Sequence, residues 1–243
     1  MPVMTVGTGR ALIPTGINYN DLVMGTGPIA YWPQSESSGL VARCLTNPAM
    51  NGTYSGVTLA NDNTGPFGTP APFYDGATSY NDVFSAALAA AFNGQELTVA
   101  AWAKVNAVGV WTDAADRRVT RLIADANNYA TMRKGPANNT ADWFFSGGGV
   151  ADTYAEAPIS ITDWFHVAIT VSRTADRIDY WINGASVGND VGVGLWAGPL
   201  VAANCCIGAR DTVPTLVWHG WLGPFGIWAQ ALPIATMEVL ALI

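Results

Sequence analysis

The chain has 243 residues, half of them hydrophobic and only 12% charged, with 26 Gly and 14 Pro, which is enough apolar material for one sizeable core and the punctuation of many short strands. A formal net charge of −7, with two Lys and nine Arg that do not cluster along the sequence, argues against nucleic acid and anionic membrane as partners, because nothing releases counterions. No run of 18 apolar residues exists to span a bilayer, and residues 1–7 lack the basic start and apolar stretch of a secretion signal.

Residues 1–27 read as an N-terminal arm, punctuated by Gly, Thr and Pro over 1–18, with no periodicity to bury. Met1, Arg10 and Ile13 mark the part of it expected to dock on other subunits or on copies of this chain. Residues 20–24 predict one helical turn before Gly25-Thr26-Gly27-Pro28. Residues 28–243 then read as a single domain without internal repeats. Ser85 before an alanine-rich run predicts a capped helical turn over 86–92.

Strands are expected over 96–105, 119–123, 129–133 and 142–146, ending at Gly147-Gly148-Gly149. The clearest pattern runs from Asp163 to Gly184. Phe165, Val167, Ile169 and Val171 alternate with Trp164, His166, Ala168 and Thr170, and after a polar break Ile178, Tyr180 and Ile182 alternate again. Asn183-Gly184 supplies the positive φ angles of a type I′ hairpin, and Ala185-Ser186-Val187 restarts a strand. Near the end, Pro224 cannot donate to a ladder, so the strand over 221–228 is expected to be irregular, and Pro233 is placed to start a closing helix over 234–240.

These motifs resemble one family. Trp164-x-His166-Val167-Ala168 followed by Tyr180-x-x-Asn183-Gly184, with Pro28-x-Ala30-Tyr31-Trp32 before it and Ile207-Gly208 after it, is similar to laminin-G-like domains of the concanavalin A-like jelly-roll superfamily. The resemblance covers roughly residues 28–242 and departs at Gln34, where an apolar residue is usual, and at Pro224-Phe225, where an acidic pair is usual. It implies an all-β fold, a two-sheet antiparallel jelly-roll sandwich with one or two short helices, with first strands at Ala30-Tyr31-Trp32 and around Gly52-Thr53-Tyr54 and a hairpin over residues 73–80. The lead-in Tyr19-x-x-x-Val23-x-x-x-x-Pro28 resembles the form found in bacteriophage minor tail proteins.

Chemistry is sparse. Some jelly-roll relatives are glycoside hydrolases with paired carboxylates on one strand, but Glu36, Glu96, Glu156 and Glu238 sit in no such motif, and Asp176 and Asp179 would point to opposite faces. His166 is expected to satisfy a structural hydrogen bond, and neither it nor His219 has a nucleophile motif beside it. Cys44, Cys205 and Cys206 read as small buried residues rather than a disulfide or zinc framework. By resemblance to pentraxin-like modules, Asp125, Asn127, Asn128 and Asp211 are candidate calcium ligands, although that loop carries a single carboxylate. Ten Trp suggest that some meet a partner, and Trp111, Trp196 and Trp218, in or beside loops, are the candidate sugar platforms.

Two functional expectations follow. One is a non-enzymatic virion structural or accessory protein, a laminin-G-like module displayed on a phage tail or capsid through its arm and contacting host glycans. The other is a free extracellular carbohydrate-binding module or adhesin, calcium-dependent if the rim loop holds the ion.

Overall fold

A computed structural model of the chain describes residues 18–59, 65–149 and 153–242; the expected docking residues Met1, Arg10 and Ile13 lie outside the described residues. Asn18 accepts a hydrogen bond from the Asn20 amide and so starts helix α1 (Tyr19–Gly25). Short strands follow: β1 (Ala30–Trp32), β2 (Val41–Ala42), β3 (Gly52–Ser55), β4 (Phe73–Asp75) and β5 (Tyr80–Asp82). Ser85 caps α2 (Ala86–Ala91) by accepting from the Leu88 amide, as its position predicts. Longer strands then carry the sandwich: β6 (Glu96–Val105), β7 (Arg117–Asp125), β8 (Asn128–Lys134), β9 (Thr140–Ser146) and β10 (Thr153–Pro158). Next come β11 (Phe165–Ser172), β12 (Arg177–Ile182), β13 (Ala185–Asp190), β14 (Cys206–Ile207), β15 (His219–Trp228) and α3 (Ile234–Leu240).

The strands form two antiparallel sheets, the expected jelly-roll sandwich, with three short α-helices rather than one or two. Sheet A runs β1-β15-β6-β11-β12-β13 with β4 added beside β15, and sheet B runs β10-β9-β8-β7-β14-β5-β3-β2. The register of β15 against β6 slips between Leu222 and Phe225, the irregularity that Pro224 predicts. Gln34 fills that break: its amide donates to the Gly223 carbonyl at 2.6 Å and accepts from the Tyr74 hydroxyl at 2.8 Å, which is how a buried polar residue is tolerated there.

The expected hairpin over 73–80 does not form. β4 pairs with β15 in sheet A, whereas β5 pairs with β3 and β14 in sheet B. Asp75 makes the crossing, its carboxylate accepting from the amides of Ala77, Thr78 and Ser79 and from the Thr78 hydroxyl. Although partial burial opposes it, those donors hold the Asp75 pKa far below the usual carboxylate range.

Alternation sorts most of the strands onto two faces. Between the sheets lie Trp32, Trp143, Phe145, Phe165, Ile169, Tyr180 and Trp218. On the other side of sheet A a second cluster forms, with Tyr31, Trp102, Ala168, Trp181, Trp221 and Trp228 under Tyr19 and Val23 of α1 and Met237 and Leu240 of α3. Tyr19 joins these pieces: its ring stacks on Phe67 at 3.8 Å, and its hydroxyl accepts from the Trp102 indole and donates to the Leu240 carbonyl, both at 2.9 Å. Residues 19–25, which the sequence groups with the arm, are therefore packed on the sandwich. All ten Trp are buried, against the expectation that some meet a partner, because sheet A has an apolar layer on both of its faces. The three cysteines are buried free thiols, as expected.

Asn183 and Gly184 both have positive φ, 49° and 76°, and join β12 to β13 as a two-residue hairpin. A Cβ at Gly184 would also lie 3.0 Å from the Glu238 Cα of α3. Gly184→Ala is therefore expected to cost about 2 kcal/mol, combining left-handed strain with displacement of a helix backbone. A shift of the urea midpoint at unchanged slope checks this.

Candidate functional site

With sheet A covered by α1 and α3, the outer face of sheet B is the broad surface that pairing leaves open. On β8, Ala130 and Met132 enter the core, so Tyr129, Thr131 and Arg133 face out. On β9, Ala141, Trp143 and Phe145 enter the core, so Asp142 and Phe144 face out. Strand β7 breaks the rule of two. Its register against β8 slips between Arg118 and Thr120, so Arg118 sits opposite Arg133 and Arg121 opposite Thr131, both on the outer face despite odd spacing. Arg210, three residues beyond β14, joins them. Together with Ala126, and without Asp142, these residues line a pocket of about 300 Å³ whose charged lining is four guanidiniums.

The carboxylates that balance them are held behind the lining. Asp116 pairs with Arg118 at 3.2 Å and also with Arg133; Asp142, itself 1% exposed, pairs with the Arg133 Nε at 2.9 Å; and Asp211 pairs with the Arg210 Nε at 2.9 Å. The Arg133 guanidinium lies 4.4 Å from the centre of the Phe144 ring, a cation–π contact that fixes both. The Arg121 side chain makes no hydrogen bond or ion pair among the described residues, and Asp211 is the carboxylate that acts on its charge. Burial, followed by Asp116 opposing and then the guanidiniums of Arg133, Arg121 and Arg210, brings the Arg118 pKa down to about 10. Burial and the nearby Arg210 lower that of Arg121 as well. Four of the nine arginines thus converge here, although they are scattered along the sequence.

No carboxylate lines this pocket among the described residues. Asp142 lies opposite Glu156 on β10, but Asp142 is buried and bonded to Arg133, so it cannot reach a substrate from that pair. Asp176 sits in the β11–β12 turn and accepts from the amides of Gly192 and Val193, whereas Asp179 pairs with Arg177. His219 shares a hydrogen bond with the Asn106 amide. His166 departs from expectation: it is buried, and neither ring nitrogen has a hydrogen-bond partner among the described residues.

The sequence-selected rim residues lie elsewhere or inside. Trp111, Trp196 and Trp218 are 1%, 7% and 1% exposed, with their indoles donating to the carbonyls of Ile161, Gly198 and Lys104, so none offers a face to a sugar. Loop position misled because these loops fold over the ends of the sandwich. Asp125 accepts from the Asn127 amide and the Asn128 side chain, and the Asn128 Oδ1 accepts from the amides of Gly148 and Ala197. Asp211 is engaged by Arg210 and Thr215. Calcium wants about six to eight oxygens. One carboxylate and an amide oxygen already carrying two donors do not fit it, and among the described residues no group of three His, Cys, Asp or Glu is placed to hold a metal. What sequence reasoning missed is the arginine pocket, whose only local signal was the Arg117-Arg118-x-x-Arg121 run.

The sequence model of the concanavalin A-like lectin/glucanases superfamily matches residues 75–235. No curated protein matches the chain. Among solved structures, the binding domain of botulinum neurotoxin serotype D is similar with a TM-score of 0.64 at 14% identity, covering 90% of this chain and 52% of that one. The binding domain of Paraclostridial Mosquitocidal Protein 1 gives 0.64 at 12% identity over 88% and 51%. Domain 4 of a GH43 extracellular arabinanase from Geobacillus stearothermophilus, solved in complex with arabinotriose, gives 0.61 at 15% identity over 88% and 98%. The chain thus spans about half the length of the toxin binding domains and nearly all of the arabinanase domain, and at these identities the likeness is one of fold.

Proposed function

The chain belongs to the concanavalin A-like lectin/glucanases superfamily, and from that premise we propose that it is a non-enzymatic carbohydrate-binding module whose ligand lies on the outer face of sheet B. The observation that carries this reading is the pocket formed by Tyr129, Phe144 and four arginines on the outer face of sheet B. Half-buried aromatic rings beside fixed polar groups are the combination that holds a polyhydroxylated ring: apolar contact with its C–H face and hydrogen bonds to its hydroxyls. The arabinanase domain, crystallised with arabinotriose, gives the fold a precedent for carrying sugar.

The setting we propose is display on a virion, on a phage tail or capsid, with residues 1–17 attaching the module to neighbouring virion proteins or to its own copies. Support comes from the Tyr19, Val23 and Pro28 lead-in ahead of Ala30-Tyr31-Trp32. A free extracellular adhesin would use the same binding face.

A glycan array probed with the whole chain, with and without EDTA, tests the reading. Binding that survives EDTA and falls at least tenfold in Phe144→Ala, at a melting temperature close to the parent's, is the expected result; tenfold corresponds to about 1.4 kcal/mol. The absence of binding to any glycan in either condition would end the reading.

A further inference from the structure

We infer that the ligand of this face is an acidic sugar, its carboxylate or sulfate group held by Arg121 with Arg118 and Arg210 beside it. This rests on the carbohydrate-binding reading and adds the charge of the ligand to it.

Four guanidiniums and no carboxylate line the pocket, and each carboxylate near it is already committed to a particular arginine: Asp116 to Arg118 and Arg133, Asp142 to Arg133, Asp211 to Arg210. Arg121 is left over. It is partly buried, its side chain has no ion pair or hydrogen bond among the described residues, and burial and then the Arg210 guanidinium work against its charge, with Asp211 opposing them. Holding a half-buried guanidinium among three others is unfavourable unless an anion completes the set, and a planar fork of donors suits a carboxylate or a sulfate through two parallel bonds. The tethers serve that purpose: Asp116, Asp142 and Asp211 fix the flanking arginines, so little order remains to be imposed when the anion arrives.

The same observations favour a single charge on a sugar over a polyanion. A net charge of −7 repels a nucleic acid or phosphate polymer at long range. About 300 Å³ lies at the small end of ligand pockets, room for roughly one sugar ring, with Tyr129 and Phe144 in its wall.

The test uses an array carrying neutral oligosaccharides beside counterparts ending in glucuronate, in sialate and in 6-O-sulfated galactose, probed with the parent chain, Arg121→Gln and Arg121→Lys. The parent is expected to bind a carboxylated or a sulfated set, each arm identifying its own anion, and to weaken as salt is raised. Arg121→Gln should lose about tenfold to a hundredfold on those sugars. Arg121→Lys should fall between the two, since it keeps the charge but not the fork. Both variants should melt near the parent temperature, because the Arg121 side chain has no hydrogen bond or ion pair to lose among the described residues. Equal binding of neutral and acidic sugars, or acidic binding undiminished in Arg121→Gln, overturns the inference while leaving the carbohydrate module standing. Silence across the whole array overturns both.

Discussion

His166→Phe is expected to raise the melting temperature of this protein and to remove most of its acid sensitivity between pH 6.5 and about 3. His166 faces Trp102 across β11 and β6, in the cluster that α1 and α3 cover, with ring centres 5.4 Å apart and close to edge-on. Burial alone lowers its pKa from 6.5 to about 3. In that window the unfolded chain binds a proton at this position and the folded chain does not, so stability is full above pH 6.5 and declines as the pH falls toward 3. One pH unit of such linkage is about 1.4 kcal/mol, so the group removes roughly 4 kcal/mol across the window. That is a large fraction of a typical domain's stability. Phe keeps the aromatic edge against Trp102 and deletes two nitrogens that have no partner, a change that is neutral or favourable when the shape is kept. Thermal melts of parent and variant from pH 7 to pH 3 check this. Parallel curves would mean that His166 has a partner holding its charge.

Tyr19→Ala is expected to cost about 4 kcal/mol, and Tyr19→Phe about 1–2 kcal/mol. The larger change opens a cavity where the Tyr19 ring stacks on Phe67 and meets Trp102 edge-on. Both changes orphan the Trp102 indole N–H and the Leu240 carbonyl, which Tyr19 alone connects. Lesser ties to α1 remain: Tyr31 donates to Asn20 at 2.6 Å, the Trp228 indole to the Thr26 hydroxyl at 2.9 Å and the Gln230 side chain to the Thr26 carbonyl at 3.2 Å. The helix should therefore loosen without the sandwich unfolding. Hydrogen exchange resolves the two levels: amides of α1 and α3 should lose protection before those of β6 and β11 do. Uniform loss in all four elements would show that the covering layer and the sandwich are one cooperative unit.

What could be read from sequence was what local pattern dictates. Alternation over 163–184 and 96–105, the Ser85 cap, the Asn183-Gly184 hairpin and the break at Pro224 all depend on a few neighbouring residues, and all stand in the structure. What could not be read depends on distant packing. Nothing local says that the loops carrying Trp111, Trp196 and Trp218 pack those rings into the cluster between the sheets, so they looked available when they are core. The segment over 73–80 has hairpin chemistry, but Asp75 uses it to move the chain between sheets. Arg118 and Arg121 are separated by an odd number of residues, which a regular strand would send to opposite faces. Only the slip in β7 brings them together, and only the fold brings Arg133 and Arg210 from elsewhere in the chain.

The binding face can be located directly by backbone amide NMR of the whole chain, titrated with the acidic glycan that scores highest on the array. The account predicts perturbations concentrated at Arg118, Arg121, Tyr129, Thr131, Arg133, Phe144 and Arg210, with α1, α3 and the outer face of sheet A unmoved. Perturbations confined to the covered side of sheet A, or to the loop around Trp196, with the arginine face silent, would contradict it.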